Sequence, residues 1–87
     1  MTFSLGTIVA TPGALDLRDK GVSLISLLKR HQKGDWGDLN EEDKKENDYS
    51  LTRHLRLLSS YITPHGKVWI ITEADRSATT FLLPDEY

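Results

Sequence analysis

The chain contains no cysteine, and this absence excludes several kinds of chemistry at once. Disulfides, zinc sites with thiolate ligands and cysteine nucleophiles all require that side chain. Long apolar runs are also missing, since the longest in the C-terminal half covers only residues 68–71, whereas a membrane span needs roughly 18 residues. The N-terminus lacks the basic region of a signal peptide. We therefore expect a cytoplasmic protein that does not enter a membrane.

Motifs for cofactors and metals are missing as well. The six glycines are isolated from one another, so the chain has neither a P-loop nor a dinucleotide-binding fingerprint. The three histidines, His31, His54 and His65, lack the i, i+4 spacing of a zinc-protease helix. Ser59 and Ser60 lack the strand-turn-helix context of a nucleophile elbow. The sequence thus predicts no cofactor, no metal and no catalytic residue, and we expect a protein that is not an enzyme.

What remains is a short chain with an ordinary apolar content. Its 87 residues, 38% of them hydrophobic, predict one domain spanning residues 1–87 with a small core. A chain of this size buries only about 60–65% of the surface exposed when it is unfolded. A modest free energy of unfolding is the expected consequence.

The net charge of −2 conceals alternating blocks. Residues 1–34, 35–48, 49–72 and 73–87 carry net charges of +3, −5, +3 and −3. The acidic block has two interpretations: a solvated helix face, or a negative surface for a basic protein groove, as in DNA-mimicking inhibitors. A nucleic-acid partner remains open if the basic side chains converge on one surface. Those side chains are Lys29, Arg30, Lys33, Arg53 and Arg56.

The order of elements predicts an α+β fold. A β-branched stretch at residues 7–10 predicts a first strand, and three capping residues, Thr11, Ser23 and Asn40, each precede a predicted helix. Residues 57–63, 67–72 and 78–83 then predict a C-terminal β-meander. We expect a three- to four-stranded antiparallel sheet with two or three helices packed on one face. The position of the first strand in that sheet stays open.

Two polar turns supply the candidate contact residues. The first holds Glu73, Asp75, Arg76 and Ser77. Its carboxylates could serve acid–base chemistry, and its guanidinium could clamp a phosphate or carboxylate of a partner. A structural turn, in which Asp75 accepts backbone N–H bonds and pairs with Arg76, is the alternative.

The second turn contains Asp35 and Trp36. A tryptophan in a turn can be the central residue of a binding interface. It can also close the end of a small core, which is the other interpretation of Trp36.

Four segments together carry a resemblance to known proteins. They are GTIVATPGAL at residues 6–15, RHQKGDWGDL at 30–39, VWIITEADRSATT at 68–80 and LLPDEY at 82–87. The chain resembles, over essentially its whole length, a family of small bacterial proteins of plasmids and other mobile elements. These proteins are often labelled "type I restriction endonuclease subunit M", but 87 residues are too few for a methyltransferase domain.

The resemblance and the residues together lead to two expectations. The first is a small non-enzymatic interaction protein of mobile genetic elements that binds a protein, with a counter-defence inhibitor of restriction or CRISPR enzymes as its sharpest form. The alternative is a nucleic-acid-binding accessory factor for plasmid maintenance or transcription. The oligomeric state is left open by the sequence.

Overall fold

The computed structural model describes residues 3–87 and confirms the α+β class. Three helices and four strands are present in this part of the chain. The elements are β1 (Thr7–Ala10), α1 (Pro12–Asp19), α2 (Leu24–Gln32), α3 (Glu41–Arg53), β2 (Leu57–Thr63), β3 (Gly66–Thr72), β4 (Ala78–Leu82) and a closing 3₁₀ turn, η1 (Pro84–Glu86).

Each helix begins at the capping residue that the sequence predicts. The side-chain oxygens of Thr11, Ser23 and Asn40 accept the N–H of the residue three positions later. These bonds satisfy amide groups that a helix leaves without an internal partner. In α1, Pro12 occupies the first turn, where a missing N–H costs nothing.

The sheet has the order β1-β4-β3-β2 and is mixed. The predicted meander is confirmed, because β2 pairs with β3 and β3 with β4 in antiparallel fashion. β1 instead runs parallel to β4, from Thr7 opposite Ala78 to Ala10 opposite Phe81. Short hairpins impose antiparallel pairing only on consecutive strands. The three helices between β1 and the meander leave the direction of β1 free to follow packing.

Two helices cover one face of the sheet, which we call the helix face. Side chains of β3 alternate between the two faces, and Val68 and Ile70 point to the helix face. They form the core with buried side chains of α1, α2, β2 and β4. These are Ala14, Leu17, Leu24, Tyr61 and Phe81. The third helix, α3, lies along the outer edge of β2.

The C-terminal turn is attached to the start of α1. The carboxylate of Glu86 accepts the hydroxyl of Thr11 at 2.6 Å, the N–H of Gly13 at 3.0 Å and the N–H of Leu83 at 2.7 Å. The bond from Thr11, followed by the backbone bonds, lowers the pKa of Glu86. The two ends of the described chain are thereby joined.

Gly37 is the point of closest approach between the 36–38 segment and β2. It forms an isolated parallel bridge with Ser60 and has a φ of 75°. A Cβ at this position would lie 2.1 Å from the carbonyl oxygen of Ser60. Only glycine therefore permits this contact, both for its backbone conformation and for its lack of a side chain.

We predict that Gly37→Ala costs more stability than Gly21→Ala. Gly21 also has a positive φ, but a Cβ there would meet nothing within 4 Å, so its substitution costs about 1 kcal/mol from the left-handed backbone alone. Gly37→Ala adds a clash with β2, and we expect a loss of about 3 kcal/mol or more. Urea denaturation of both variants measures the difference. Equal losses would show that the bridge to Ser60 contributes nothing.

Candidate functional site

The first polar turn joins β3 to β4. Glu73 donates its N–H to the carbonyl of Ala78 at 3.0 Å, and Asp75 Oδ1 accepts the N–H of Ser77 at 3.0 Å. Hydrogen bonds from the Ser77 side chain and backbone lower the pKa of Asp75. Glu73, Asp75 and Ser77 are exposed. The carboxylate of Asp75 serves the turn and does not pair with Arg76, so that part of the structural interpretation is wrong.

The half-buried side chain of Arg76 links the β3–β4 turn to the chain at the end of α3. Its Nη1 donates to the carbonyls of Leu55, Glu73 and Ala74 at 2.7, 3.0 and 3.1 Å, and Nη2 reaches that of Ser50 at 3.4 Å. Ser50 belongs to α3 and already accepts the N–H of Leu55 at 3.0 Å, whereas Leu55 follows the helix and Glu73 and Ala74 belong to the turn. A guanidinium has enough donors to bond to carbonyls of both segments at once. Arg76 adopts a positive φ of 62°. Its guanidinium is thus committed to backbone contacts within the chain.

We predict that Arg76→Lys lowers the free energy of unfolding by about 2 kcal/mol, because an ammonium cannot reproduce the planar fork. Arg53→Lys is the matched control, since Arg53 lies exposed over the ring of Tyr49. We expect this control to change stability by less than about 0.5 kcal/mol. Thermal and urea denaturation measure both. An Arg76→Lys variant as stable as the control would contradict a stabilising role for these carbonyl contacts.

Trp36, in the second turn, closes the core. It is 3% exposed, and its Nε1 donates to Asp48 of α3 at 2.9 Å. Asp35 binds Arg30 at 2.7 Å and accepts the N–H of Gly37 at 3.1 Å. The bond from Arg30 is the main cause of the lowered pKa of Asp35. The ring of Trp36 accordingly offers no free surface to a partner.

The two turns meet at the ring of Phe3. The guanidinium of Arg76 lies 5.8 Å from the Phe3 ring centroid, and the Trp36 ring is stacked 6.3 Å from it. Trp36 bonds to α3 through Asp48, and Arg76 bonds chiefly to Leu55, just after the end of α3. The two polar turns that the sequence analysis singled out therefore lie close together, and both bond to α3 or to the residues that follow it.

A third residue completes the attachment of α3. The Asn47 side chain donates Nδ2–H to the carbonyl of Leu58 and accepts the N–H of Leu58 at 3.1 Å. It thus bonds to the edge of β2 as another strand would. We call Asn47, Trp36 and Arg76 the polar clasp. Through it α3 is fixed by hydrogen bonds, with few apolar contacts.

The clasp leaves the outer side of α3 exposed. Tyr49 is 53% exposed, and a shallow depression on the helix is lined by Tyr49 and four charged side chains. We define the acidic surface as the following residues of α3. They are Glu41, Glu42, Asp43, Glu46 and Tyr49.

The five basic residues do not share one surface. The guanidinium of Arg30 lies 4.7 Å from the Tyr61 ring centroid, and that of Arg56 lies 5.3 Å from the ring of Tyr87, which packs against Trp69. Tyr61 points to the helix face and Trp69 to the opposite face, because neighbouring residues alternate. Arg30 and Arg56 are therefore separated by the sheet. Lys29 and Lys33 are exposed on or after α2, and Arg53 is on α3.

Sequence reasoning missed a buried polar chain centred on His31. Its Nδ1 bonds to the Ser59 hydroxyl and its Nε2 to the Thr72 hydroxyl at 2.8 Å. Thr72 bonds to Thr79 at 2.8 Å, and Thr79 donates to the carbonyl of Leu5 at 2.7 Å. All four side chains are buried. The available signal was the position of His31 on the apolar stripe of α2, where a polar residue requires polar partners.

The bond from Thr79 to the carbonyl of Leu5, at the end of this series of hydrogen bonds, determines the tautomer of His31. A carbonyl only accepts, so Thr79 donates to Leu5 and must accept from Thr72. Thr72 has then used its proton, so it accepts from Nε2–H of His31, and Nδ1 accepts the hydroxyl of Ser59. This order resembles an activated serine. Ser59 has no exposed surface, so this series of hydrogen bonds satisfies polar groups within the core.

Burial shifts the titration of His31. Desolvation, with a smaller effect from the charge of Arg76, lowers the pKa of His31 to about 4. The unfolded chain binds this proton near pH 6.5. Between pH 6.5 and 4 the unfolded state therefore binds more protons than the folded state, and stability falls as the pH falls.

We predict a loss of about 3 kcal/mol in the free energy of unfolding between pH 7 and pH 4 from His31 alone. Urea denaturation across this range measures it, and His31→Gln should abolish most of the slope while the exposed His65→Gln retains it. NMR titration of the His31 ring provides a second measurement that needs no variant. A ring midpoint near 6.5, or a protonated Nδ1 at neutral pH, would refute the assignment.

Within residues 3–87, no group of three or more histidine, cysteine, aspartate or glutamate side chains is arranged to hold a metal ion. In the same range, every helix is too short or too polar to cross a membrane.

Comparison of the chain with protein-family models, with curated proteins and with solved structures finds no match in any of the three.

Proposed function

We propose that this protein is a small non-enzymatic interaction protein of mobile genetic elements, which binds a protein partner in the cytoplasm through the acidic surface of α3. The observation that supports this is the polar clasp. Three side chains hold α3 in place and leave Glu42, Glu46 and Tyr49 directed outward. A binding surface that is already ordered loses little conformational entropy on association.

The chemistry of this surface favours a basic partner. Residues 41–46 of α3 carry four acids, Glu41, Glu42, Asp43 and Glu46, against Lys44 and Lys45. Their net charge of −2 favours the encounter with a positive surface. Tyr49 adds an aromatic ring beside the acids, of the type enriched at binding hot spots, and the guanidinium of Arg53 lies 5.2 Å from its centroid. A nucleic-acid-binding groove of a restriction or CRISPR enzyme has this basic character, and a counter-defence inhibitor is the specific form of the proposal.

The other candidate contact residues receive less support. Glu73, Asp75 and Ser77 are exposed and remain possible partner contacts. Trp36 and Arg76 use their polar groups inside the chain, and Asp35 is held by Arg30. We therefore place the principal contact on α3 and treat the turn between β3 and β4 as secondary.

The alternative function, a nucleic-acid-binding accessory factor, requires the basic residues to act together. Arg30 and Arg56 lie on opposite sides of the sheet, and Arg30 is paired with Asp35. A gel-shift series at increasing salt tests this alternative, because phosphate contacts weaken steeply with salt. Absence of a shift at low salt would eliminate it.

The proposed function is tested by reversing the charge of the acidic surface. We expect Glu42→Lys/Glu46→Lys to weaken partner binding by at least about tenfold, and the wild-type association rate to fall with ionic strength. Partners are captured on wild-type protein, identified by mass spectrometry, purified and measured by surface plasmon resonance. Competition by duplex DNA then shows whether the basic groove of the partner is occupied.

A matched control carries the same charge change elsewhere. Asp19→Lys/Asp85→Lys alters two exposed acids outside α3 and should retain binding within about twofold. If both double variants capture the same proteins as the wild type, the acidic surface is not the binding site. For the counter-defence form, expression in a restricting host should raise transformation by unmodified plasmid, and an unchanged efficiency would contradict it.

A further inference from the structure

The two edges of the sheet differ in how their backbone groups are satisfied. At β2, Leu58 bonds to the Asn47 side chain, and Ser60 bonds to the backbone of Trp36 and Asp38. Ile62 donates its N–H to the Asp38 carboxylate at 2.7 Å. The outward N–H groups of Leu58, Ser60 and Ile62 and the outward carbonyls of Leu58 and Ser60 are therefore occupied. An edge closed in this way cannot accept another strand.

The opposite edge, β1, is open. Thr7 and Thr11 donate their N–H groups to carbonyls of Ser77 and Phe81 on the side of β4. Because directions alternate along a strand, the N–H and C=O groups of Ile8 and Ala10 point away from β4. Within residues 3–87, no hydrogen bond reaches these outward groups. Ile8 and Val9 are also 50% and 44% exposed.

The composition around β1 restricts what can pair with it. Residues 2–15 contain no charged side chain, so the edge lacks the charges that usually prevent strand addition. A charged strand would place its side chains beside Ile8 and Val9 without a counter-charge. A second copy of the same uncharged strand brings no such penalty.

We propose that β1 is a pairing edge for a second copy of this chain. Two β1 strands run antiparallel about a two-fold axis at Val9, and the two four-stranded sheets become one sheet. Ile8 of each copy then lies opposite Ala10 of the other copy. Each of these two pairs forms two backbone hydrogen bonds, so the four bonds use every outward N–H and C=O group of Ile8 and Ala10. Val9 of one copy lies opposite Val9 of the other, as the two-fold axis requires. Two-fold symmetric dimers are the commonest homo-oligomers.

The first test measures self-association of the full chain by sedimentation across a concentration series. A four-residue edge is small for a stable dimer, so we expect a dissociation constant on the order of 0.1 mM. Val9→Lys places two ammonium groups directly opposite each other and should weaken association by at least about tenfold. Mixing Val9→Lys with Val9→Glu should restore it.

Ile25→Lys is the matched control for this experiment. Ile25 is 68% exposed on α2, and its substitution should leave the dissociation constant unchanged. A wild-type chain that stays monomeric to millimolar concentration would overturn the proposal. Equal effects of Val9→Lys and Ile25→Lys would also overturn it, because association would then use another surface.

The second test fixes the register. Since the chain has no cysteine, Val9→Cys introduces a single thiol. Facing residues that do not bond to each other lie about 4.5 Å apart between Cα atoms, within the range of a disulfide. With oxidised glutathione as the oxidant, Val9→Cys should form a covalent dimer at least about tenfold faster than Ile25→Cys. Equal rates would exclude this pairing.

Discussion

The hydrogen bonding along the outer edge of β2 is the constraint on which the rest of the structure depends. Asn47 bonds to Leu58 from α3, and residues 36–38 bond to Ser60 and Ile62. An exposed strand edge can pair with another chain, and these bonds remove that possibility at β2. The same bonds fix the position of a helix whose own sequence is too polar to pack by hydrophobic burial. Closing the edge and presenting the acidic surface are thus one arrangement.

Beneath this edge lies a core that is polar at its centre. His31 bonds to Ser59 and Thr72, and the chain continues through Thr79 to Leu5. A fully satisfied network of this kind favours one packing arrangement, because any shift leaves a buried polar group unpaired. Phe3 and Trp36 pack edge-on against the His31 ring. The clasp and the buried network therefore share Trp36 and stabilise each other.

Several features could be predicted from local sequence. Thr11, Ser23 and Asn40 begin the helices, because each capping side chain acts on residues within one turn of itself. The pairing partner of β1 could not be predicted in this way. For Trp36 the sequence left two interpretations open, and its buried ring supports the one in which it closes the core. The role of Arg76 escaped, since an arginine bonded to carbonyls has the same local sequence as an exposed one. Arg30 and Arg56, which the sequence offered as parts of one basic surface, lie on opposite sides of the sheet.

The sequence by itself determined the α+β fold class, the helices, the meander and the uneven distribution of charge. These depend on interactions between near neighbours and on the alternation of side chains. Only the tertiary structure decided which edge of the sheet is closed, which surface α3 exposes and that His31 is neutral within the core. Those outcomes rest on bonds between distant residues, as in Arg76 to Ser50, 26 positions apart, and His31 to Thr72, 41 apart. No local pattern encodes which distant donor and acceptor will meet.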